Sequence, residues 1–113
     1  MARAEREQPQ PQKPGISGAG VPDDASIDEL QGQLTAYMER KGLRSTSQRR
    51  LVSELFFRTS GHHSIDDVLA MARAQDPKVG YATVYRTMKL LVECGLANER
   101  HFGDTVTRFE IAL

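Results

Sequence analysis

The sequence predicts a winged helix-turn-helix, a mainly α-helical fold with a small β-hairpin wing. Two observations support this prediction. Apolar residues recur at helical spacing in four segments between Ile27 and Cys94. Beyond Gly95 the spacing changes to that of extended strands around a short turn. Two strands after a turn-linked helix pair make a winged helix-turn-helix, in which the third helix supports the fourth.

The first helix is predicted over residues 27–41. Ser26 and Glu29 have the spacing of a capping box, and Gly42 is a typical C-terminal stop. Residues 1–25 hold four of the five prolines and several glycines without apolar periodicity, which is typical of disorder. We therefore expect a disordered extension over residues 1–25 and one winged-helix domain over residues 26–113.

The second helix is predicted over residues 48–59, with Ser47 as its N-cap. Arg49 and Arg50 lie in its first turn, where positive charge opposes the helix dipole. Two cations at that end suggest that an anion such as a phosphate binds there. The alternative is a pair of exposed arginines that reach into water.

The third helix is predicted over residues 65–75, capped by Ser64, and the fourth over residues 81–94, ended by Gly95. Two strands are predicted over residues 96–102 and 106–113. They flank the turn Gly103-Asp104-Thr105, and Phe109 and Ile111 share one face of the second strand.

The fourth helix has two contrasting faces at 100° per residue. Val84, Met88 and Leu91 form an apolar stripe, with Thr87 at its edge. The opposite face carries Ala82, Tyr85, Arg86 and Lys89. Arg can fork onto guanine and Lys can meet phosphate, so this face suits a nucleic-acid groove. The alternative is a solvated helix face that happens to be basic.

The net charge is zero, but the charge is unevenly distributed. Residues 1–39 hold three basic and seven acidic side chains, residues 40–89 ten and four, and residues 90–113 two and four. An electrostatic footprint is local, so the basic centre favours a polyanionic partner. The acidic ends leave one alternative open, a winged helix used for protein contacts without operator binding.

Other functional classes find little support. Cys94 is the single cysteine, which excludes an internal disulfide framework and a CxxC zinc site and fits a reducing cytoplasm. We expect it to be a small buried apolar residue. No segment is apolar enough to span a membrane or to serve as a secretory signal. No catalytic motif and no complete set of metal ligands appears, so an enzyme is not expected. The cluster around His62 and Asp66 is typical of the start of a helix.

Four motifs resemble the ferric uptake regulator family. They are the helix Gly80–Thr87, the segment Lys41–Arg49, the His-His helix start Gly61–Val68, and the wing built from Cys94-Gly95-Leu96, Phe102-Gly103-Asp104 and Arg108-Phe109-Glu110. Together they cover about residues 40–110 in the family's order and spacing, with essentially no gaps.

The resemblance implies the DNA-binding domain of a metal-responsive transcriptional regulator, a repressor that reads AT-rich palindromic operators in double-stranded DNA. It implies that Tyr85 and Arg86 meet bases in the major groove. By the same resemblance, Thr83 and Lys89 support the helix near the phosphates, and Arg49 contacts a phosphate. A basic residue near the minor groove corresponds to Lys41 or Arg44, and the sequence leaves that choice open.

The resemblance also implies a regulatory metal site, of which His63 and Glu110 match two ligands. The family's other ligands come from a strand beyond the equivalent of Leu113, in a dimerisation domain that we expect to be absent from this chain. Two ligands do not hold a divalent ion firmly. We therefore expect no firmly bound cofactor here, but iron or zinc and a homodimer in the full-length protein. The family's wing histidine aligns with Arg100, one position before His101.

Overall fold

The computed structural model describes residues 22–101, 103 and 106–112. Within them lie α1 (Asp24–Arg40), α2 (Ser47–Phe57), β1 (His63–Ser64), α3 (Ile65–Gln75), α4 (Tyr81–Glu93), β2 (Ala97–His101) and β3 (Thr107–Ile111). The strands form one antiparallel sheet in the order β1-β3-β2. A helical body with a small sheet confirms the predicted winged helix-turn-helix. Residues 1–21 of the extension that was predicted to be disordered lie outside the described residues.

Helix α1 begins at Asp24, earlier than predicted, because Asp23 and not Ser26 is its N-cap. The carboxylate of Asp23 accepts a hydrogen bond from the Ser26 backbone N–H at 2.8 Å, and its carbonyl accepts one from Ile27 N at 2.9 Å. The bond from the Ser26 backbone is the largest cause that lowers the pKa of Asp23. The helix therefore includes residues 24 and 25, which the sequence analysis placed in the extension.

The caps of the next two helices differ in how well they were predicted. Helix α2 is capped by Thr46, whose hydroxyl accepts from Arg49 N at 3.1 Å, so the prediction of Ser47 is wrong by one residue. Helix α3 is capped by Ser64 as predicted, and Asp67 completes a capping box with it. Helix α2 also ends at Phe57, two residues before the predicted end.

Helices α1 and α4 end in the same way. Gly42 has φ +70° and Gly95 has φ +84°, and each follows the C-cap residue of its helix. Leu43 N then bonds to Met38 O, and Leu96 N to Leu91 O, both at 2.8 Å. These are Schellman motifs, which satisfy carbonyls that a helix end leaves open. The first turns the chain towards Arg44, and the second directs it into the wing.

The core lies between the helices and the inner face of the sheet. Val84, Met88 and Leu91 have no exposed surface, which confirms the predicted apolar stripe of α4. Thr87 is buried beside them at 1% exposure. The turn before α4 is held by Arg73, whose Nε donates to Val79 O at 2.8 Å.

Strand β1 was not predicted, because two residues are too short to show a periodic pattern. His63 pairs with Phe109 and Ser64 with Arg108, so β1 adds a third strand beside the predicted hairpin. Phe109 is buried, and Ile111 packs against the core, as their shared face predicts. Within the described part of the chain, no helix has the length and apolar character that crossing a membrane requires.

Candidate nucleic-acid interface

The outward face of α4 presents aromatic and basic side chains to solvent. Tyr81 is 52% exposed and Tyr85 46%, and their rings stack with centroids 6.4 Å apart and planes 14° from parallel. Ala82 and Arg86 are exposed on the same helix. The inner face anchors the helix in the core, because Val84, Met88 and Leu91 are fully buried. The Thr87 hydroxyl donates to Thr83 O, one turn earlier in the same helix, at 2.7 Å.

A groove between the start of α2 and the start of α4 brings four predicted residues together. Its lining includes Arg44, Arg49, Thr83 and Arg86. Arg49 is oriented by the loop before α2, since its Nη1 donates to Arg44 O at 2.8 Å. The structure therefore places Arg49 and Thr83 beside Arg86, whereas Tyr85 and Lys89 line a separate cleft towards the wing.

The three guanidinium groups of this groove are not compensated by any carboxylate in the part of the chain that the structure describes. Among the residues that the structure describes, no carboxylate forms an ion pair with Arg44, Arg49 or Arg86. Other arginines of the fold do have such partners: Arg58 bonds to Asp24 at 2.9 Å and to Glu54 at 3.1 Å. Concentrated positive charge without carboxylate partners in the described part of the chain favours an external polyanion.

Lys41 lies apart from this groove, at the end of α1. Its Nζ is 5.8 Å from the ring centroid of Tyr37, and the Arg40 guanidinium is at the same distance from that ring. The Tyr37 hydroxyl donates to Glu93 Oε1 at 3.1 Å, which ties α1 to α4. Burial, followed by the neighbouring Glu93 carboxylate, raises the pKa of Tyr37. Of the two candidates for the family's minor-groove residue, only Arg44 lines the groove.

Lys89 differs from the arginines because it has a carboxylate partner. Its ammonium group donates to Glu99 on β2, and this bond is the largest cause that raises the pKa of Lys89. The same ammonium group lies 5.9 Å from the ring centroid of Tyr85. Lys89 thus faces the wing, and its charge is already compensated.

The structure does not bring His63 and Glu110 together. His63 is the direct partner of Phe109, and neighbouring side chains on a strand point to opposite faces, so Glu110 faces away from it. His63 Nε2 lies 2.8 Å from Ser60 O. In the described residues no group of three or more His, Cys, Asp and Glu side chains could hold a metal ion. The metal-binding role of His63 and Glu110 stays a prediction.

Glu110 is held by two other side chains. Arg100 Nη2 lies 2.6 Å from its carboxylate, and His62 Nε2 lies at 2.8 Å. The bond from Arg100 is the main cause that lowers the pKa of Glu110. The shifted wing histidine, His101, makes a different contact, with its Nδ1 3.4 Å from the Thr107 hydroxyl. The wing thus brings the Arg100 cation to the Glu110 carboxylate.

Sequence reasoning missed two features of this surface. One is the contact of Tyr81 with Tyr85, because the helical pattern assigns Tyr81 only the start of α4, although the spacing of four residues predicts that the two rings meet. The other is Glu99, whose contact with Lys89 joins two elements across a tight turn. The spacing of the two tyrosines is visible in the sequence, whereas no sequence pattern indicates the contact between Lys89 and Glu99.

A helix-turn-helix with a three-stranded wing and a basic groove beside its exposed helix defines the winged-helix DNA-binding domains. The sequence model described as "Ferric uptake regulator family" matches residues 40–113. The ferric uptake regulation protein of Bacillus subtilis is 34% identical over 86 residues, which are 75% of this chain and 55% of that protein. The one of Brucella abortus is 35% identical over 75 residues, 66% of this chain and 53% of that protein. The chain belongs to the ferric uptake regulator family, whose members are transcriptional regulators and not enzymes.

Solved structures have the same fold. The Helicobacter pylori ferric uptake regulator aligns with a TM-score of 0.70 at 22% identity, over 76% of this chain and 57% of that one. The Francisella tularensis ferric uptake regulator with iron aligns with a TM-score of 0.55 at 30% identity, over 62% of this chain and 54% of that one. The chain spans just over half the length of the curated relatives it matches.

Proposed function

We propose that this chain binds double-stranded DNA with α4 in the major groove and the wing beside it. The observation that carries the proposal is the groove in which Arg44, Arg49 and Arg86 meet beside the exposed face of α4 without carboxylate partners among the described residues. A recognition helix reads bases from its N-terminal half, and the surrounding cations set its position on the phosphates.

The predicted site residues in and around this groove have proposed roles. Arg86 forks onto a guanine, and the Tyr85 ring packs on a neighbouring base. Arg49 and Thr83 contact phosphates, the former through a guanidinium already oriented by the Arg44 carbonyl. Arg44 reaches towards the adjacent minor groove. Lys41, which lies against Tyr37, supports the end of α1 at the edge of the interface.

The regulatory role requires more than this groove. We propose that the chain acts within a homodimeric, metal-responsive repressor located in the cytoplasm, which reads an AT-rich palindrome. Two α4 helices would then enter successive major grooves about 34 Å apart. His63 and Glu110 would contribute to a divalent-metal site only if the contacts of Glu110 with Arg100 and His62 were exchanged for the metal and for further ligands.

The test begins with a duplex selected from a random library by this chain, which avoids any assumption about the operator. Binding is measured by fluorescence anisotropy against the selected duplex and a scrambled duplex of the same composition. We expect Arg86→Ala to weaken binding to the selected duplex roughly 5- to 150-fold, the value of one bidentate base contact. It should weaken binding to the scrambled duplex much less.

Arg58→Ala is the matched control, since it removes the same charge at the far end of α2. We expect it to leave the preference for the selected duplex unchanged. Equal affinity of the parent chain for both duplexes, with little salt dependence, would instead support a protein-interaction module. Unchanged discrimination in Arg86→Ala would show that another residue reads the base.

A further inference from the structure

Four side chains form a continuous row from the start of α4 to the wing: Tyr81, Tyr85, Lys89 and Glu99. The first three are spaced four residues apart, so they lie one above the other on the helix. The Tyr81 and Tyr85 rings are stacked, the Lys89 ammonium lies 5.9 Å from the Tyr85 ring centroid, and Glu99 accepts a hydrogen bond from that ammonium. Tyr85 thus lies between the Tyr81 ring on one side and the Lys89 ammonium on the other.

Glu99 is the fixed end of this row. It pairs with Phe109 in the ladder between β2 and β3, and its side chain is only 24% exposed. Phe109 is in turn anchored in the core at 2% exposure. The position of the Glu99 carboxylate is therefore set by the sheet, and Lys89 reaches out from α4 to meet it.

A phosphate is a poor partner for Lys89 in this arrangement. The ammonium charge is already compensated, and the Glu99 carboxylate would repel an approaching phosphate. Asp66 lies in the same cleft between α3, α4 and the wing and adds a second negative charge. This cleft contrasts with the groove lined by Arg44, Arg49 and Arg86, whose guanidinium groups have no carboxylate partner among the described residues.

We propose that Glu99 is a positioning residue: through Lys89 it holds the ring of Tyr85 in the orientation that α4 presents to DNA. This inference rests on the proposed function, because it assumes that α4 reads bases. Its physical basis is preorganisation, since a side chain that is ordered before binding loses less conformational freedom on binding. In this arrangement Lys89 does not contact a phosphate.

The affinity test uses Glu99→Gln, Lys89→Met and the double variant, with the selected and scrambled duplexes described above. We expect each single variant to lower the discrimination between the duplexes by roughly 2- to 12-fold, the cost of immobilising one side chain. Because both act through the same contact, the double variant should lose no more than either single variant. Additive losses, or unchanged discrimination, would overturn the proposal.

The salt dependence separates positioning from phosphate contact. If Lys89 met a phosphate, Lys89→Met would reduce the slope of log K against log salt by about 0.9. We expect the slope to stay close to the parent value, because Lys89 lies outside the phosphate contacts. A reduction of the slope by about 0.9, which corresponds to one lost phosphate contact, would overturn the proposal.

A third readout needs no DNA. In the free chain, the aromatic NMR signals of Tyr85, assigned with Tyr85→Phe, report whether its ring remains stacked on Tyr81. We expect Glu99→Gln to move these signals and Glu54→Gln, which removes a paired carboxylate on α2, to leave them in place. Unmoved signals would overturn the positioning role. Failure of the parent chain to bind any duplex would overturn the proposed function instead.

Discussion

The hydroxyl of Ser53 lies 3.1 Å from Oε1 of Gln31, in the contact between α1 and α2. Ser53 has no exposed surface and Gln31 is 8% exposed, so this is a polar contact inside an apolar core. The Gln31 amide completes it by donating to Arg50 O at 3.3 Å. A buried amide has few positions that satisfy its hydrogen bonds, so the contact fixes how α1 lies on α2.

We expect Ser53→Ala to lower the free energy of unfolding by about 1–3 kcal/mol, because it removes a buried hydroxyl that lies within hydrogen-bond distance of Gln31 Oε1, Arg49 O and Arg50 O. Equilibrium urea unfolding measures the change. Ser47→Ala is the control on the same helix, since Ser47 is exposed and is not the N-cap, and it should change stability by less than about 0.5 kcal/mol. Equal effects of the two substitutions would show that the contact between Ser53 and Gln31 does not contribute to the free energy of unfolding.

Arg49 and Arg50 offer a second matched comparison. They are adjacent on α2, but Arg49 lines the groove with Arg86, whereas Arg50 lines a separate groove between α1 and α2. We expect Arg49→Ala to reduce the slope of log K against log salt by about 0.9 for any duplex, the signature of one lost phosphate contact. Arg50→Ala should reduce it less. A larger reduction of the slope in Arg50→Ala than in Arg49→Ala would contradict the proposed orientation of the chain on DNA.

Asp23 provides a prediction on pH. We expect Asp23→Ala to lower the free energy of unfolding at pH 7 by about 1 kcal/mol, the typical value of an N-cap, whereas Asp23→Asn should retain most of it. The pKa of Asp23 is lowered in the folded chain, so its charged form stabilises the fold above the ordinary value of 3.8. That contribution is lost as the pH falls below this value and through the folded pKa. The stability difference between parent and Asp23→Asn should therefore shift in favour of Asn on acidification.

The helices were largely predictable from the sequence because each carries its own periodic pattern and stop signal. Their first residues were harder, since several serine, threonine and aspartate residues compete as caps. Asp23 prevails over Ser26 and Thr46 over Ser47 because in each case the earlier side chain reaches an amide three residues on, which adds residues to the helix. The choice between such neighbours depends on the path of the incoming chain, which a local pattern does not contain.

The site was predictable where it lies on one element and not where it joins two. The outer face of α4 follows from helical spacing alone, and its exposure agrees with that pattern at Tyr85 and Arg86. The contact between Lys89 and Glu99 depends on how β2 folds back along α4. The separation of His63 from Glu110 depends on the register between β1 and β3, and β1 is too short to predict.

Two glycines should respond in opposite ways to substitution by alanine. Gly95 has φ +84° in the turn that leads from α4 to the wing, a conformation that costs an L-residue roughly 1–2 kcal/mol. Gly32 lies inside α1, and a Cβ there would meet nothing within 4 Å. We expect Gly95→Ala to lower the free energy of unfolding by about that amount and Gly32→Ala to raise it by about 0.5–1 kcal/mol. Urea unfolding measures both, and the opposite sign at either position would show that backbone conformation does not determine the outcome there.

The turn at Gly95 also directs the chain into the wing, so Gly95→Ala should displace Glu99 relative to Lys89. We therefore expect Gly95→Ala to lower the discrimination between the selected and scrambled duplexes. Gly32→Ala should leave this discrimination unchanged.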